Sequence, residues 1–222
     1  MTKEQVREIV RDVGIIPVVR AASASQALLA AEAVRAGGIP IVEITMTVPG
    51  AVDVIRELVR KASAGVLVGA GTVLDGDSAR RCLDAGAEFL VSPGLDLETV
   101  KLAGDEGILM IAGALSPTEV ITAWKAGSDL VKIFPCGNVG GPKYIKALKG
   151  PLPQVPLVPT GGVSLETAAE FIRAGAAALG IGGELVSAAA LKSGNTAAIT
   201  STAKQYVEIV RQAREPEAAA IG

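Results

Sequence analysis

Seven glycines punctuate this chain at nearly regular intervals, and a short strand-like run follows each. They are Gly14 (IIPVV), Gly37 (GIPIVEIT), Gly65 (VLVGA), Gly86 (AEFLV), Gly107 (ILMIA), Gly127 (SDLVKIF) and Gly175 (AAALGIG). Successive intervals are 23, 28, 21, 21, 20 and 48 residues. The last interval holds two units, and the run VPLVPT near residues 155–160 supplies its missing strand. A fixed period of this length means that one supersecondary unit is being repeated. The glycines have a local cause. AEAVRAGG, ARRCLDAGA, TAWKAGS and AEFIRAGA are four helix endings of one type, in which glycine takes the left-handed conformation that closes a helix.

Between the strands lie amphipathic segments of helical period. Ala27, Ala30, Ala31 and Val34 share one face, and so do Val52, Ile55, Val59 and Ala62. The strands read as nearly continuous apolar runs, the pattern of parallel strands covered on both sides. Eight strands alternating with helices predict an α/β fold, a (β/α)8 TIM barrel. A doubly wound sheet would place a glycine-rich nucleotide loop after strand 1, where this chain has VVRAASAS. Thr2 with Gln5 predicts a capping box. Val6, Ile9, Val10 and Val13 then form the face of an extra N-terminal helix covering the barrel floor. Residues 195–214 predict the final helix, with Ile199, Ala203, Tyr206, Val207 and Val210 inward. One domain is expected over residues 1–214, and the tail 215–222, EPEAAAIG, is expected to fray.

Composition removes several functions. Half of the 222 residues are hydrophobic and only 3% aromatic, so a large core must be packed from Val, Ile, Leu and Ala. The net charge of −2 gives no basic surface for nucleic acid or an anionic membrane. Apolar runs are strand-length, short of the ~18 residues of a membrane span. The N-terminus carries no signal-peptide core. Cys82 and Cys136 are the only cysteines, and a reducing cytoplasm is the expected compartment. There is no histidine. Ser-His-Asp and Cys-His catalysis are excluded, as is a histidine-ligated metal, so proton transfer falls to Glu, Asp, Lys, Tyr or Cys.

The active site of such a barrel lies at the C-terminal ends of its strands. Strand 2 ends VEITMT, where alternation puts Glu43, Thr45 and Thr47 on one face. Strand 3 brings Thr72 to the rim, and strand 4 ends in Ser92, Pro93 and Gly94. Strand 6 holds Lys132 on the face shared with Leu130 and Phe134. Strand 7 ends in Thr160, Gly161 and Gly162, and strand 8 in Gly182 and Gly183. Glu43 and Lys132 are the two ionisable groups inside otherwise apolar strands. A purely structural buried ion pair is one reading, but such pairs stabilise weakly because desolvation offsets attraction. Their place near the catalytic end favours chemistry. Burial lowers a lysine pKa, and a neutral amine can attack a ketone to form a Schiff base. The protonated imine then accepts electrons from a breaking carbon–carbon bond while a carboxylate moves protons. Lys132 and Glu43 suffice for a metal-free aldol cleavage.

The glycine turns after strands 7 and 8 present backbone N–H groups to an anion, as phosphate sites of these barrels do. Glu184 opposes this, because a carboxylate beside a phosphate repels it. Lys143, Lys146 and Lys149 read as a solvated helix face, and Cys136 as a small buried hydrophobe. Trp124 is expected to pack between helix and barrel or at a subunit contact. Of Asp75 and Asp77, Asp77 is expected to be the better helix cap. Two other classes stay open: a phosphate-binding isomerase or epimerase, and a non-catalytic barrel. Neither needs a lysine buried in strand 6 together with Glu43.

The stretches VEITMTVPGAV, VGAGTV, AEFLVSPG, LVKIFP, GGPKYIKALKGP and VPTGGV, in this order and spacing, resemble the 2-keto-3-deoxy-6-phosphogluconate (KDPG) aldolases and the related 4-hydroxy-2-oxoglutarate (KHG) aldolases. The resemblance runs from GIIPVVR to residue 190. It implies a class I aldolase, commonly a homotrimer, with Lys132 as the Schiff-base lysine and Glu43 as general acid/base, and with no metal or separate cofactor. Thr72 and Pro93 would hold the pyruvate half, Phe134 would pack beside the imine, and Thr160, Gly161 and Gly162 would lie toward the distal or phosphate end. The implied small-molecule substrate is a 2-keto acid, cleaved to pyruvate and glyceraldehyde 3-phosphate or, for the shorter one, to pyruvate and glyoxylate. Phosphogalactonate-type or non-phosphorylated substrates are the near alternative. Thr47 stands where some members carry a carboxylate-binding arginine, and Gly183 and Glu184 stand where a serine often helps with phosphate.

Overall fold

The structure, a computed structural model, describes residues 1–61 and 66–215. Its strands are β1 (Ile15–Val19), β2 (Ile41–Thr45), β3 (Leu67–Gly71), β4 (Phe89–Val91), β5 (Leu109–Ala114), β6 (Leu130–Ile133), β7 (Leu157–Pro159) and β8 (Leu179–Ile181). They alternate with α2 (Ala24–Ala36), α3 (Ala51–Lys61), α4 (Gly76–Asp84), α5 (Leu97–Asp105), α6 (Pro117–Lys125), α7 (Pro142–Lys149) and α8 (Ala168–Arg173). α1 (Lys3–Val13) precedes the barrel; α9 (Ala188–Ser193) and α10 (Thr196–Arg214) follow it. The strands form one parallel sheet in the order β7-β6-β5-β4-β3-β2-β1-β8. Parallel bridges Leu157↔Ala176 and Thr160↔Gly180 join β7 to the β8 side and close the ring. The predicted (β/α)8 barrel with an extra N-terminal helix is the fold.

Every strand residue is buried, as a sheet covered on both faces requires. With few aromatics, close packing depends on pairing small residues with large ones. Gly69 sits beside Phe89 in register, and a Cβ at 69 would collide with the Phe89 ring. α1 carries the expected capping box: the Gln5 N–H donates to Thr2 Oγ1 and the Thr2 N–H to Gln5 Oε1. Val6 and Val10 are fully buried, each contributing about 1.5–3 kcal/mol. Lys3 and Arg7 pair with buried Asp129, whose second oxygen accepts the Met110 N–H at 2.9 Å. This ties α1 to the floor beneath β5 and β6.

Local details depart from expectation in several places. Gly14, Gly86, Gly107, Gly127 and Gly175 do take positive φ, but Gly37 is right-handed (φ −82°) and Gly38 (φ 94°) makes the turn. Gly37 is needed for space instead, since a Cβ there would strike Ala203 of α10. Asp75, not Asp77, caps α4: its backbone is extended and its carboxylate accepts the Ser78 N–H, whereas Asp77 lies in the first turn. On α3 the buried stripe is Ala51, Val54 and Ile55, with Val52 and Val59 only partly buried. Lys143 and Lys146 are exposed as expected, but Lys149 bends back to the Pro153 and Val155 carbonyls. α10 buries Ile199, Ala203, Tyr206 and Val210 as predicted, whereas Val207, expected inward with them, is only partly buried. α9, a short helix with N-cap Ser187, was not foreseen. Ala62, Gly65 as a helix end, and the fraying expected of residues 216–222 lie outside the described residues.

Candidate active site

Lys132 leaves the middle of β6 and Glu43 the middle of β2, on opposite parts of the ring. Both are almost completely buried, at 3% and 2% exposure. The strands that flank each are built to make room. Gly113 of β5 is the register partner of Lys132. A Cβ at 113 would collide with the Pro93 backbone, so its absence lets the β4–β5 rim close in beside the lysine. Ser92 fastens that rim, its hydroxyl donating to the Gly94 carbonyl and accepting the Gly113 N–H. Gly71 does the same for Glu43: any Cβ there would overlap the carboxylate.

Among the described residues the Glu43 and Lys132 side chains form no ion pair or hydrogen bond with each other, and Glu43 Oε1 has no hydrogen-bond partner. They are nonetheless electrostatically coupled. Burial pushes the Glu43 carboxyl above its ordinary 4.5, opposed by the charges of Lys132 and Arg20. Burial pulls the Lys132 amine below its ordinary 10.5; Glu43 works against this and Arg20 with it. The site therefore makes the amine easier to deprotonate than an exposed lysine and the carboxyl readier to hold a proton, the direction of tuning that suits a nucleophile and an acid/base in imine chemistry. The Phe134 ring lies 5.4 Å from Lys132 Nζ and walls that side of the bore.

The remaining predicted residues gather at the same end. Thr160 is buried and its Oγ1 has no partner, and a Cβ at Gly180 would strike that hydroxyl. Glu43 Oε1 and Thr160 Oγ1 are thus two buried oxygens at this end of the barrel that no group among the described residues satisfies. Thr72 has φ 57°, the only non-glycine residue with positive φ among those described. Such a conformation is strained for a β-branched residue, by about 1–3 kcal/mol, and such strain gathers at functional sites. Gly161, with φ 84°, lies against Phe134 and Pro135. Gly182 borders Arg20, whose Nη1 stands 3.1 Å from where a Cβ would be. Thr47 is exposed and hydrogen-bonds Thr45 at 2.7 Å, and Thr45 is in turn within 3.0 Å of the Val19 carbonyl. Pro93 is half-buried and Gly183 exposed at the mouth.

Arg20 is a charged residue at this end of the barrel that sequence reading did not single out: its charge acts on both Glu43 and Lys132. It ends GIIPVVR, the same kind of strand-end position that drew attention to Thr72 and Thr160, and a charged residue directly after five buried ones was the available signal. A large cleft, about 980 Å³, lies at the opposite end beneath α1, between Trp124, Lys149 and Arg214. Three of the cations lining it have partners in the protein: Arg7 pairs with Asp129, Lys149 donates to loop carbonyls, and Arg214 donates to the carbonyls of Arg11 and Asp12. Glu43 and Lys132 lie in the bore and are not among the residues that line this cleft. Among the described residues no cluster of acidic side chains and cysteines is placed to hold a metal ion.

The chain matches the family model described as KDPG and KHG aldolase over residues 6–202. It is 36% identical over 204 residues to the 2-dehydro-3-deoxy-phosphogluconate aldolase of Treponema pallidum, covering 91% of this chain and 96% of that one. It is 35% identical over 195 residues to the KHG/KDPG aldolase of Escherichia coli, covering 87% and 91%. A solved KDPG aldolase from Legionella pneumophila, with pyruvate captured as a covalent carbinolamine intermediate, superposes with a TM-score of 0.83 at 31% identity, over 89% of this chain and 96% of that one.

Proposed function

This chain belongs to the family of KDPG and KHG aldolases, and we propose that it performs the family's reaction as a class I enzyme through Lys132 and Glu43. The observation that carries these roles is a lysine buried in β6, with its amine made less basic by burial and a coupled carboxyl across the bore. The neutral Lys132 amine attacks the C2 ketone of a 2-keto-4-hydroxy acid, giving a carbinolamine that loses water to form a protonated imine. Glu43 takes the proton of the C4 hydroxyl. The C3–C4 bond then breaks, its electron pair moves into the imine to leave an enamine, and the aldehyde departs. Glu43 returns its proton to C3, and water hydrolyses the imine to release pyruvate and the free amine. A carboxyl whose pKa is raised by burial is suited to both halves of that cycle.

In this reading the pyruvate half lies between Thr72, Pro93 and Phe134, while Thr45 holds Thr47 toward the keto-acid carboxylate. Arg20 supplies the cation that Thr47 lacks. Thr160, Gly161, Gly162, Gly182 and Gly183 face the distal part of the substrate. The substrate is KDPG or 4-hydroxy-2-oxoglutarate, with pyruvate the common product. Borohydride reduction of the protein in the presence of pyruvate, followed by peptide mass mapping, tests the assignment. A reduced pyruvate adduct on Lys132 is expected; a folded sample with no adduct on any lysine would sink it.

The reading extends to a homotrimer. Leu74 after β3, Leu97 at the start of α5, and Ile121 and Trp124 on α6 leave apolar side chains exposed on consecutive units of the ring, surface that association between chains would cover. Sedimentation at the mass of three chains is expected; a monomer at micromolar concentration would overturn it. Two free, buried cysteines fit a reducing compartment, and no helix among the described residues is long and apolar enough to cross a membrane. We place the protein in the cytoplasm; a fractionation that recovers it with membranes or outside the cell would refute this.

A further inference from the structure

Gly113 and Lys132 are register partners on parallel β5 and β6, so a side chain at 113 would point into the bore beside the lysine stem. The Pro93–Gly94 peptide takes that place: a Cβ at 113 would fall on the Pro93 carbonyl carbon and the Gly94 nitrogen. The peptide is therefore part of the wall beside Lys132. Ser92 holds it there. Its hydroxyl donates to the Gly94 carbonyl at 2.6 Å and accepts the Gly113 N–H at 3.3 Å, while its own N–H donates to the Ile111 carbonyl at 3.2 Å. One buried side chain thus closes the turn and ties it to the strand beneath. Pro93 has no N–H and Gly94 no side chain, so among the described residues this hydroxyl is the turn's one side-chain hydrogen bond to β5. On the other side the Val73 N–H donates to the Val91 carbonyl at 3.1 Å, which joins the rim carrying Thr72 to the same turn. Ser128 offers a contrast. It is equally buried and clasps the same pair of strands, accepting the Ala112 N–H at 2.9 Å and donating to the Leu130 carbonyl at 2.6 Å, but it does so from the floor, where it lines the cleft beneath α1.

We propose that Ser92 is a positioning residue for imine formation: acting through the Pro93–Gly94 peptide rather than on the substrate, it fixes the wall against which the Lys132 amine meets the keto-acid carbonyl. The inference rests on the aldolase reading above and adds Ser92 to it. The test is borohydride trapping of pyruvate on Lys132, followed against pyruvate concentration and against pH, in the wild type, Ser92→Ala, Ser92→Cys and Ser128→Ala. Ser92→Ala should raise the pyruvate concentration for half-maximal trapping by about tenfold, the scale of one lost hydrogen bond with a small misplacement, and reach the same yield at saturation. It should also move the half-maximal pH of trapping upward. Burial holds the amine below its ordinary value, and a loosened wall admits water, while Glu43 and Arg20, the charges that act on the amine, stay in place. Ser128→Ala should lower the melting temperature and leave both readings at wild type. Should Ser92→Ala not fold, Ser92→Cys decides by the same two readings, because it keeps the shape closely and weakens both hydrogen bonds. Wild-type concentration and pH dependence in the Ser92 variant overturns the proposal. So does an equal shift in Ser128→Ala, which would make the effect one of stability alone. Failure of the aldolase reading looks different: the wild type itself gives no adduct on Lys132 at any pyruvate concentration, which retires both.

Discussion

Methionine in place of Lys132 is expected to abolish cleavage, with a loss of about 10⁴-fold or more in kcat/KM, because no other amine in the bore can take over the covalent step. The same variant should give no pyruvate adduct on borohydride reduction. It should also remain folded and resist heat at least as well as the wild type. Met matches the lysine stem in length and has no amine to desolvate. The sign follows from the direction of the shift. The folded-state pKa of Lys132 lies below its ordinary 10.5, so its favourable contribution is present above pH 10.5 and lost as pH falls through the folded value. At neutral pH the wild type therefore carries a penalty that the methionine variant lacks. Replacing a buried ionisable group by an apolar one is worth roughly 1–3 kcal/mol in such settings. Thermal melts at pH 7 and near pH 10.5 check this: the variant's advantage should shrink toward the higher pH. A variant that retains turnover would remove Lys132 from the mechanism. One that unfolds would mean that the amine is structural.

Glutamine in place of Glu43 separates the two halves of the chemistry. The imine step needs the amine, so trapping of pyruvate on Lys132 should survive. Bond cleavage and reprotonation need a group that gains and loses a proton, so kcat should fall by about 10²–10⁴, the usual worth of a positioned acid/base. Removing the carboxylate also removes the influence that raises the Lys132 pKa. The pH at which trapping reaches half its maximum should therefore move down. Stability provides an independent sign. The folded pKa of Glu43 lies above its ordinary 4.5, so its favourable contribution is fully present below pH 4.5 and lost as pH rises through the folded value. Glu43→Gln should thus melt higher than the wild type at pH 7 and lose that advantage at pH 4. Undiminished kcat in Glu43→Gln would assign the proton transfer to another group.

Much of this protein was legible in one dimension. The glycine period and the helical stripes are local signals, fixed by backbone sterics and by which face must be buried, and they specified eight units and an added first helix. Alternation along a strand has a period of two, so it assigned Glu43 and Lys132 to the bore before any contact was known. The resemblance carried by LVKIFP and VEITMTVPGAV supplied their chemical roles as an expectation. What escaped depended on partners distant in the chain. Gly37 serves to admit α10 rather than to turn the backbone, because Ala203 occupies the space its Cβ would fill. Asp75 rather than Asp77 became the cap because the chain leaving β3 is extended there. The glycines at 71 and 113 look like ordinary strand residues, yet they clear the space that the Glu43 carboxylate and the Pro93 rim occupy. Arg20 gained its part only when closure of the barrel brought β1 beside the β8 turn. The sequence by itself determined which residues face inward and how often the chain turns, because those are short-range consequences of period and conformation. Only the tertiary structure decided which inward groups lack partners and which charges share a field, because burial and Coulomb coupling depend on the closed ring.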